Sequence, residues 1–223
     1  MGTLSVVATP IGNLEDITLR ALRTLKECDV IYAEDTRVIS KLLARYSIAK
    51  PLQRLDAATE GKRAEGVIAR LLEGERVVFV SDAGTPGISD PGARLVAAVR
   101  EQLPTATIEA IPGASALTAA LSIAGLDTGE FIFVGFLPHK KGRQTALGKI
   151  AESELPVVLY ESPHRIEKLL SELEALDVSK VTVARELTKM HEELVSGTPT
   201  EMLAYFAKHP DHIRGEFVVI VAP

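Results

Sequence analysis

Hydrophobic runs and amphipathic stretches alternate along this chain of 223 residues. Short apolar runs rich in β-branched residues occupy positions 4–8, 30–33, 77–80, 107–111, 131–136, 157–160, 181–184 and 217–221. Between several of them, apolar residues recur with the spacing of an amphipathic helix, at positions 19–25, 38–43, 64–72, 93–100 and 166–176. This alternation predicts an α/β fold whose sheet is largely parallel and flanked by helices.

The segment around residues 113–128 separates two halves that each hold about four predicted strands. We therefore predict an N-terminal α/β domain at residues 1–114 and a C-terminal α/β domain at residues 115–223. The pattern changes after Thr188, because residues 191–197 indicate a short strand with a turn and residues 215–221 indicate a closing strand. The second sheet is therefore predicted to be mixed.

Composition limits the possible partners. The net charge of −5 provides no whole-molecule positive field for a polyanion, so any nucleic-acid contact must be local. The single cysteine, Cys28, excludes an internal disulfide and is predicted to be a small buried side chain, as suits a reducing cytoplasm. The start of the chain does not look like a signal peptide, and the uncharged stretch 110–126 is too short and too polar to span a bilayer. We expect a cytoplasmic protein without a membrane segment.

The most informative segment is the loop at residues 81–92 (SDAGTPGISDPG), which directly follows the apolar run 77–80. A buried strand that opens into a glycine- and proline-rich loop brings main-chain amides and carbonyls to the carboxyl edge of a sheet, where open α/β sheets bind small cofactors. Asp90 and Pro91 by themselves are typical of a helix start, with Asp90 as N-cap and Pro91 as the first helical residue.

Several common sites are not indicated. No Gly-Lys-Ser/Thr sequence occurs, and the first strand ends in TPIG rather than Gly-x-Gly-x-x-Gly, which disfavours a P-loop and a dinucleotide-binding unit. His209 and His212 are spaced like metal ligands but have no third ligand nearby in sequence, so we expect a solvated loop and no metal. His164 and His191 are interpreted as structural histidines.

Seven short motifs stand in order along the chain. They are residues 9–16 (TPIGNLED), 33–37 (AEDTR), 81–92, 112–116 (PGASA), 135–138 (GFLP), 160–165 (YESPHR) and 185–189 (RELTK). Together they resemble the tetrapyrrole methylase superfamily. Within it, they are similar to the bacterial methyltransferases that modify the 2′-hydroxyl of a cytidine ribose in the decoding region of small-subunit (16S) ribosomal RNA. This resemblance implies two α/β domains, S-adenosylmethionine in a cleft between them, and a homodimer.

The resemblance also implies which residues bind the cofactor. These are Pro10, Ile11, Asp82, Gly84 and Thr85 from the predicted first domain, and Ser115, Ala116, Tyr160, Glu161 and Glu216 from the predicted second domain. Asp82 suits the ammonium of the cofactor, because a carboxylate pairs with it. A turn-forming aspartate that bonds its own backbone is the alternative for Asp82.

Methyl transfer to a ribose also needs a group that removes the hydroxyl proton. Asp35, Glu186 and Lys189 are the candidates, although Asp35 is equally suited to cap the helix after it and Lys189 to a plain surface position. Phosphate contacts are expected from a set of basic residues, Arg37, Lys140, Lys141, Arg143 and Arg165. A solvated turn that starts a helix is the alternative for the run 139–143.

Two other functions are compatible with the same motifs. A methyltransferase that acts on a corrin precursor keeps the cofactor site but requires a roomy apolar acceptor cavity. A noncatalytic ligand-binding or assembly subunit uses the same loops to hold a metabolite. The basic loop and the residue identities within the motifs favour the ribosomal RNA substrate.

Overall fold

A computed structural model describes residues 1–56, 59–127 and 129–223, which divide into two compact units, Met1–Ser115 and Ala116–Pro223. The first unit contains a parallel sheet in the order β3-β2-β4-β1-β5. Its strands are β1 (Thr3–Val7), β2 (Val30–Ala33), β3 (Leu52–Arg54), β4 (Arg76–Val80) and β5 (Thr107–Ile111). Its helices are α1 (Leu19–Glu27), α2 (Thr36–Arg45), α3 (Glu60–Leu72) and α4 (Ala93–Gln102).

Helices cover both faces of this sheet, as a parallel sheet requires. Successive strand residues point to opposite faces, so each strand contributes to two apolar layers. One layer joins the sheet to α1 and α2 through Val7, Ile31, Val78, Leu25, Ile39 and Leu42. The other joins it to α3 and α4 through Leu4, Val30, Phe79, Val67, Leu71, Leu95 and Val99. The predicted α/β fold with a parallel sheet is confirmed.

The second unit contains a sheet in the order β6-β7-β10-β8-β9. Its strands are β6 (Ile132–Phe136), β7 (Val157–Glu161), β8 (Lys180–Arg185), β9 (Glu193–Gly197) and β10 (Phe217–Ala222), and its helices are α5 (Ala116–Ile123), α6 (Arg143–Ala151), α7 (Ile166–Glu174) and α8 (Pro199–Lys208). Among the described strands of this unit, only the β6–β7 pairing is parallel, so this sheet is mixed, as predicted. Within the described ranges, no helix has the length and apolar character needed to cross a bilayer.

The start of α4 differs from the prediction. The helix begins at Ala93 after Gly92, and neither Asp90 caps it nor Pro91 opens it. The capping group is the buried carboxylate of Glu60, whose Oε1 accepts the amides of Gly92 at 2.8 Å and Leu95 at 2.9 Å. Gly92 has φ 130°, and a Cβ there would lie 2.7 Å from the Phe79 ring, so only glycine fits.

Cys28 follows the last residue of α1 and is 2% exposed. Burial raises the pKa of its thiol to about 11. Reactive cysteines are exposed and have a lowered pKa, so Cys28 is a structural side chain, as its sequence context predicts.

Candidate functional site

The topology of the first unit opens a candidate site at the carboxyl ends of β1 and β4. These two strands are neighbours, but α1 carries the chain from β1 to β2 on one side, and α4 carries it from β4 to β5 on the other. The loops that leave them therefore diverge and open a crevice at the sheet edge. Open α/β sheets bind ligands at such a switch point.

Three loops at this edge are joined by hydrogen bonds to main-chain groups. Thr9 and Gly84 exchange two of them, from Thr9 N to Gly84 O at 2.9 Å and from Gly84 N to Thr9 O at 3.0 Å. The Thr85 hydroxyl donates to the carbonyl of Ala114 at 3.2 Å, which adds the loop after β5. Gly84 has φ 77°, and a Cβ there would lie 3.3 Å from Ile11 Cγ2, so a bare main chain is needed here.

A cavity of about 220 Å³ lies beside these loops. Pro10, Ile11 and Asp82, which were predicted to bind the cofactor, line it together with Val38 and Leu42 of α2. Pockets that enclose a whole drug-sized ligand have volumes of about 300–1,000 Å³, so this cavity by itself accommodates one part of such a ligand. Its lining is mostly apolar and carries one carboxylate, Asp82, and one ammonium, Lys41, which suits a group that combines hydrocarbon with charge.

Asp82 joins the loop after β4 to the loop after β2. Its Oδ1 accepts the main-chain amide of Asp35 at 2.9 Å, so it bonds a neighbouring loop rather than only its own turn. Burial, and then the charge of Asp35, raise the pKa of Asp82. Burial and the charges of Asp82 and Asp90 also raise the pKa of Glu34. The ionised carboxylates are thus destabilised in the free protein, and a bound cation would relieve this repulsion.

Asp35 has the capping role that the sequence left open. Its Oδ1 accepts the amide of Arg37 at 2.8 Å, and its Oδ2 lies 2.5 Å from Arg37 Nη2. Hydrogen bonds from the Arg37 side chain and amide lower the pKa of Asp35 to about 2. A carboxylate with so low a pKa is a poor proton acceptor, which favours the cap over the catalytic base.

The second unit brings three of the predicted site residues into one cluster, at the adjacent ends of β8 and β10. Lys189 Nζ lies 2.8 Å from Glu186 Oε1 and 3.9 Å from Glu216 Oε2. Glu186 and Thr188 have φ values of 50° and 65°, in the left-handed region that non-glycine residues rarely adopt. Such backbone costs of order 1–3 kcal/mol per residue and is concentrated at functional sites.

Gly215 makes room for this cluster. A Cβ at Gly215 would lie 1.7 Å from Glu186 Oε1, so the carboxylate packs directly on the bare main chain. The Glu186 amide also donates to the carbonyl of Glu216 at 3.3 Å. The position of the Glu186 side chain is therefore fixed from both strands.

Glu161 is the centre of a buried ion cluster. It is 1% exposed, and its Oε1 lies 2.7 Å from both Arg165 Nε and the amide of Ser162. Arg143 Nη1 is 3.8 Å from Glu161 Oε2, and Arg143 Nη2 is 2.6 Å from Glu172 Oε2. The carboxylate of Glu161 is thus engaged by arginines of its own unit.

The predicted phosphate contact of Arg143 is not supported by its position, because Arg143 is only 3% exposed. Its guanidinium turns inward and donates to the carbonyl of Pro138 at 3.3 Å. Arg165 also points inward and donates to the carbonyl of Leu137 at 3.1 Å. Both arginines therefore hold the loop that follows β6, on which Lys140 and Lys141 remain exposed.

The remaining predicted residues occupy varied positions. Tyr160 is half-buried at the end of β7, edge-to-face with Phe133 and Phe136 at ring-centroid distances of 5.0 Å and 5.6 Å. Ser115 is the last residue of the first unit, and Ala116 is the first residue of α5.

The structure reveals a polar network that the sequence did not indicate. His212 Nδ1 lies 3.0 Å from Glu193 Oε2 and 2.9 Å from the hydroxyl of Tyr205, which also bonds Glu193. Burial and the bond to Glu193 raise the pKa of Tyr205 to about 12. His212 is therefore anchored by a carboxylate and a phenol rather than free in a solvated loop. Within the described ranges, no three His, Cys, Asp or Glu side chains gather as a metal site.

The comparisons with known proteins agree with this architecture. The family model described as "Tetrapyrrole (Corrin/Porphyrin) Methylases" matches residues 3–203. The chain therefore belongs to the tetrapyrrole methylase family, and the resemblance inferred from its motifs is confirmed.

Curated relatives match the chain over its whole length. A protein of Synechocystis sp. named "Ribosomal RNA small subunit methyltransferase I" is 46% identical over 227 residues, covering 100% of this chain and 79% of that protein. A protein of the same name from Thermotoga maritima is 43% identical over 224 residues, covering 100% and 99%.

Solved structures share the fold at low sequence identity. The methyltransferase CobJ has a TM-score of 0.73 at 23% identity, covering 100% of this chain and 94% of its own. A diphthine synthase has a TM-score of 0.74 at 16% identity, covering 99% and 90%. At these identities the likeness establishes the fold alone.

Proposed function

We propose that this protein transfers a methyl group from S-adenosylmethionine to the 2′-hydroxyl of a cytidine ribose in the decoding region of small-subunit ribosomal RNA. The observation that carries the proposal is the tied set of loops around Asp82 and Gly84 at the switch point. The names of the relatives that match the whole chain support the methyl-transfer reaction and the ribosomal RNA substrate. The ribose hydroxyl and the decoding-region cytidine come from the motif resemblance.

The residues at the switch point fit the cofactor. The cavity beside Pro10 and Ile11 suits an apolar part of the molecule, and the Asp82 carboxylate suits its ammonium. Thr85 and the main chain of Gly84 and Ser115 would supply polar contacts. When bound, the cofactor supplies a methyl group on a sulfonium, which is a good leaving group.

Contacts from Ala116, Tyr160, Glu161 and Glu216 stay predictions. The Glu161 carboxylate already pairs with two arginines, so we expect any contact from this residue to come from its main chain.

Glu186 is the proposed proton acceptor for the ribose hydroxyl. Among the three candidates, Asp35 is committed to the helix cap, and Lys189 as an ammonium is a donor to Glu186. Glu186 alone offers a carboxylate oxygen held in one orientation by Lys189 and Gly215. Lys189 is then a positioning residue. A base in hydrogen-bond reach of the hydroxyl typically contributes about 10²–10⁴ in rate.

The substrate contacts proposed for the second unit are those of Lys140 and Lys141. Both are exposed on the loop that Arg143 and Arg165 hold from inside. Arg37 is also exposed, although it pairs with Asp35. A homodimer remains a prediction from the resemblance.

A labelling experiment tests this function. The purified chain is incubated with methyl-labelled S-adenosylmethionine and, separately, with small ribosomal subunits, free ribosomal RNA or a corrin precursor. We expect label in the ribosomal RNA, mapped to a cytidine ribose by its resistance to alkaline cleavage at that nucleotide. Label in the corrin precursor, or tight cofactor binding without transfer to any acceptor, would overturn the proposal in favour of the two alternative functions.

A further inference from the structure

Helix α2 has a basic face of which the predicted site includes only Arg37. Ile39, Leu42 and Leu43 are buried against the sheet. Arg37, Lys41 and Arg45 are exposed on the other side, each four residues from the next. Residues four apart lie on one side of a helix, with a rise of about 6 Å between them. We call these three residues the α2 basic stripe.

The stripe has little neutralising charge around it. The sequence of α2 contains no Asp or Glu. Asp35 at the N-cap pairs with Arg37, whereas among the described residues Lys41 and Arg45 form no ion pair. The positive charge therefore grows along the helix away from its N-terminus. This pattern contrasts with the net charge of −5 for the whole chain.

The far end of the stripe is held in place by an aromatic ring. The Arg45 guanidinium carbon is 5.8 Å from the centroid of the Tyr46 ring, a cation–π distance. The Tyr46 hydroxyl donates to the carbonyl of Leu14 at 2.7 Å, which fixes the ring. Arg45 therefore loses less conformational entropy when it binds an anion than a free surface arginine does.

The near end of the stripe adjoins the candidate cofactor site. Lys41 and Val38 line the same cavity as Pro10 and Asp82. Helix α2 also begins immediately after the carboxyl end of β2, at the edge where the switch-point loops lie. A chain that follows the stripe thus runs away from the place where the methyl group would be transferred.

We propose that the α2 basic stripe binds successive phosphates of the RNA strand that flanks the target nucleotide. This inference rests on the proposed function and adds a substrate-binding surface to it. A row of guanidinium and ammonium groups complements the regularly spaced charges of a nucleic-acid backbone. The exposed apolar side chains of α2 are few and small, Val38 and Ala44, which does not favour the hydrophobic docking of a partner helix.

The test compares two neutralising variants with a matched control. Lys41→Gln/Arg45→Gln removes two charges from the stripe, and Arg45→Gln removes one at a position outside the cavity. Arg23→Gln/Lys26→Gln removes two exposed charges from α1 and serves as the control. Binding to small ribosomal subunits is measured over a range of salt concentrations, and cofactor affinity is measured by calorimetry.

Each phosphate contact contributes about 0.7–0.9 to the slope of log affinity against log salt, so the slope should fall by about 1.4–1.8 in the double stripe variant. It should fall by about half as much in Arg45→Gln, with unchanged cofactor affinity, and Arg45→Lys should restore it. The α1 control should keep the wild-type slope.

Three results would overturn the inference while leaving the proposed function intact. These are an unchanged slope in both stripe variants, an equal loss in the α1 control, or weakened binding to subunits with unchanged binding to free ribosomal RNA. The last result would assign the stripe to a ribosomal protein. If the wild-type chain itself transfers no methyl group to small-subunit RNA, the proposed function fails instead, which the labelling experiment detects independently.

Discussion

The candidate sites of the two units are shaped by different interactions, main-chain hydrogen bonds in the first and side-chain ion pairs in the second. At the switch point of the first unit, main-chain bonds between Thr9 and Gly84 and a bare glycine backbone define the crevice, with Asp82 as its one carboxylate. In the second unit, side-chain ion pairs around Glu161 and Glu186 define the geometry. The main-chain site should tolerate a changed charge but not an added atom, whereas the ion-pair sites should be disrupted by a changed charge.

Glu161→Gln tests the ion-pair side of this contrast and should have the largest effect on stability. The change leaves the nearly buried Arg165 without its counter-charge and leaves the buried Arg143 with Glu172 as its one acidic partner among the described residues. Removing one partner of a buried ion pair costs about 3–5 kcal/mol, and chemical denaturation measures this loss in the free energy of unfolding. The control is Lys168→Gln, whose exposed ammonium lies 4.0 Å from Glu172 and should contribute less than about 1 kcal/mol. Equal losses in the two variants would show that the buried ion cluster contributes no more to the free energy of unfolding than an exposed ion pair.

Glu186→Gln keeps the size of the side chain and removes the proposed proton acceptor. Single-turnover methyl transfer should slow about 100-fold, which is about 2.7 kcal/mol in the activation barrier. A variant that transfers methyl groups at the wild-type rate would exclude Glu186 as the base.

Gly84→Ala tests the site of the first unit, where main-chain atoms define the crevice. The added methyl group would approach Ile11 Cγ2 to 3.3 Å and occupy a backbone conformation with φ 77°. Gly74→Ala in the same unit is the matched control, because Gly74 has φ 89° but open space around it. Both variants should lose about 1 kcal/mol of stability. Only Gly84→Ala should also weaken cofactor binding in calorimetry, and an equal affinity in both variants would contradict the role of this loop.

Asp82→Asn should have the smallest effect on stability, and in the favourable direction. Since the folded-state pKa of Asp82 is raised, the folded protein binds more protons than the unfolded chain, and wild-type stability declines as pH rises through this pKa. The variant should therefore be at least as stable as wild type at neutral pH, and the difference should vanish at acid pH, where the carboxylate is protonated in both states. Cofactor affinity should nevertheless fall. Lower stability at neutral pH together with unchanged affinity would refute the assignment.

The sequence predicts the sheets better than the connections between them. Strands β2 and β5 have their predicted bounds, because continuous β-branched runs between turn residues have few other interpretations. Strand β3 has only three residues and no buried pattern, so it has no comparable signal. Helix α8 is missing from the predicted elements, although Thr198 and Glu201 form a capping box that the sequence displays.

The sequence predicts which residues lie at the strand ends but not which side chains are buried by distant partners. Pro10, Ile11 and Asp82 follow strands whose carboxyl ends share one edge, so strand order alone brings them together. By contrast, the cap of α4 and the burial of Arg143 depend on Glu60 and Glu172, about 30 residues away in each case. A local pattern shows that a residue is charged but does not show which distant carboxylate removes it from solvent. The division into domains at residue 114 stays a prediction.

The buried Cys28 has a practical use. Its thiol is shielded from solvent and has a pKa of about 11, so alkylating and maleimide reagents at neutral pH find almost no thiolate to attack. A cysteine introduced at a surface position, for example beside Lys140, would therefore react alone. Fluorescent labels and cross-linkers for mapping contacts on the ribosomal subunit can then be attached to the otherwise native chain without first removing a residue from its core.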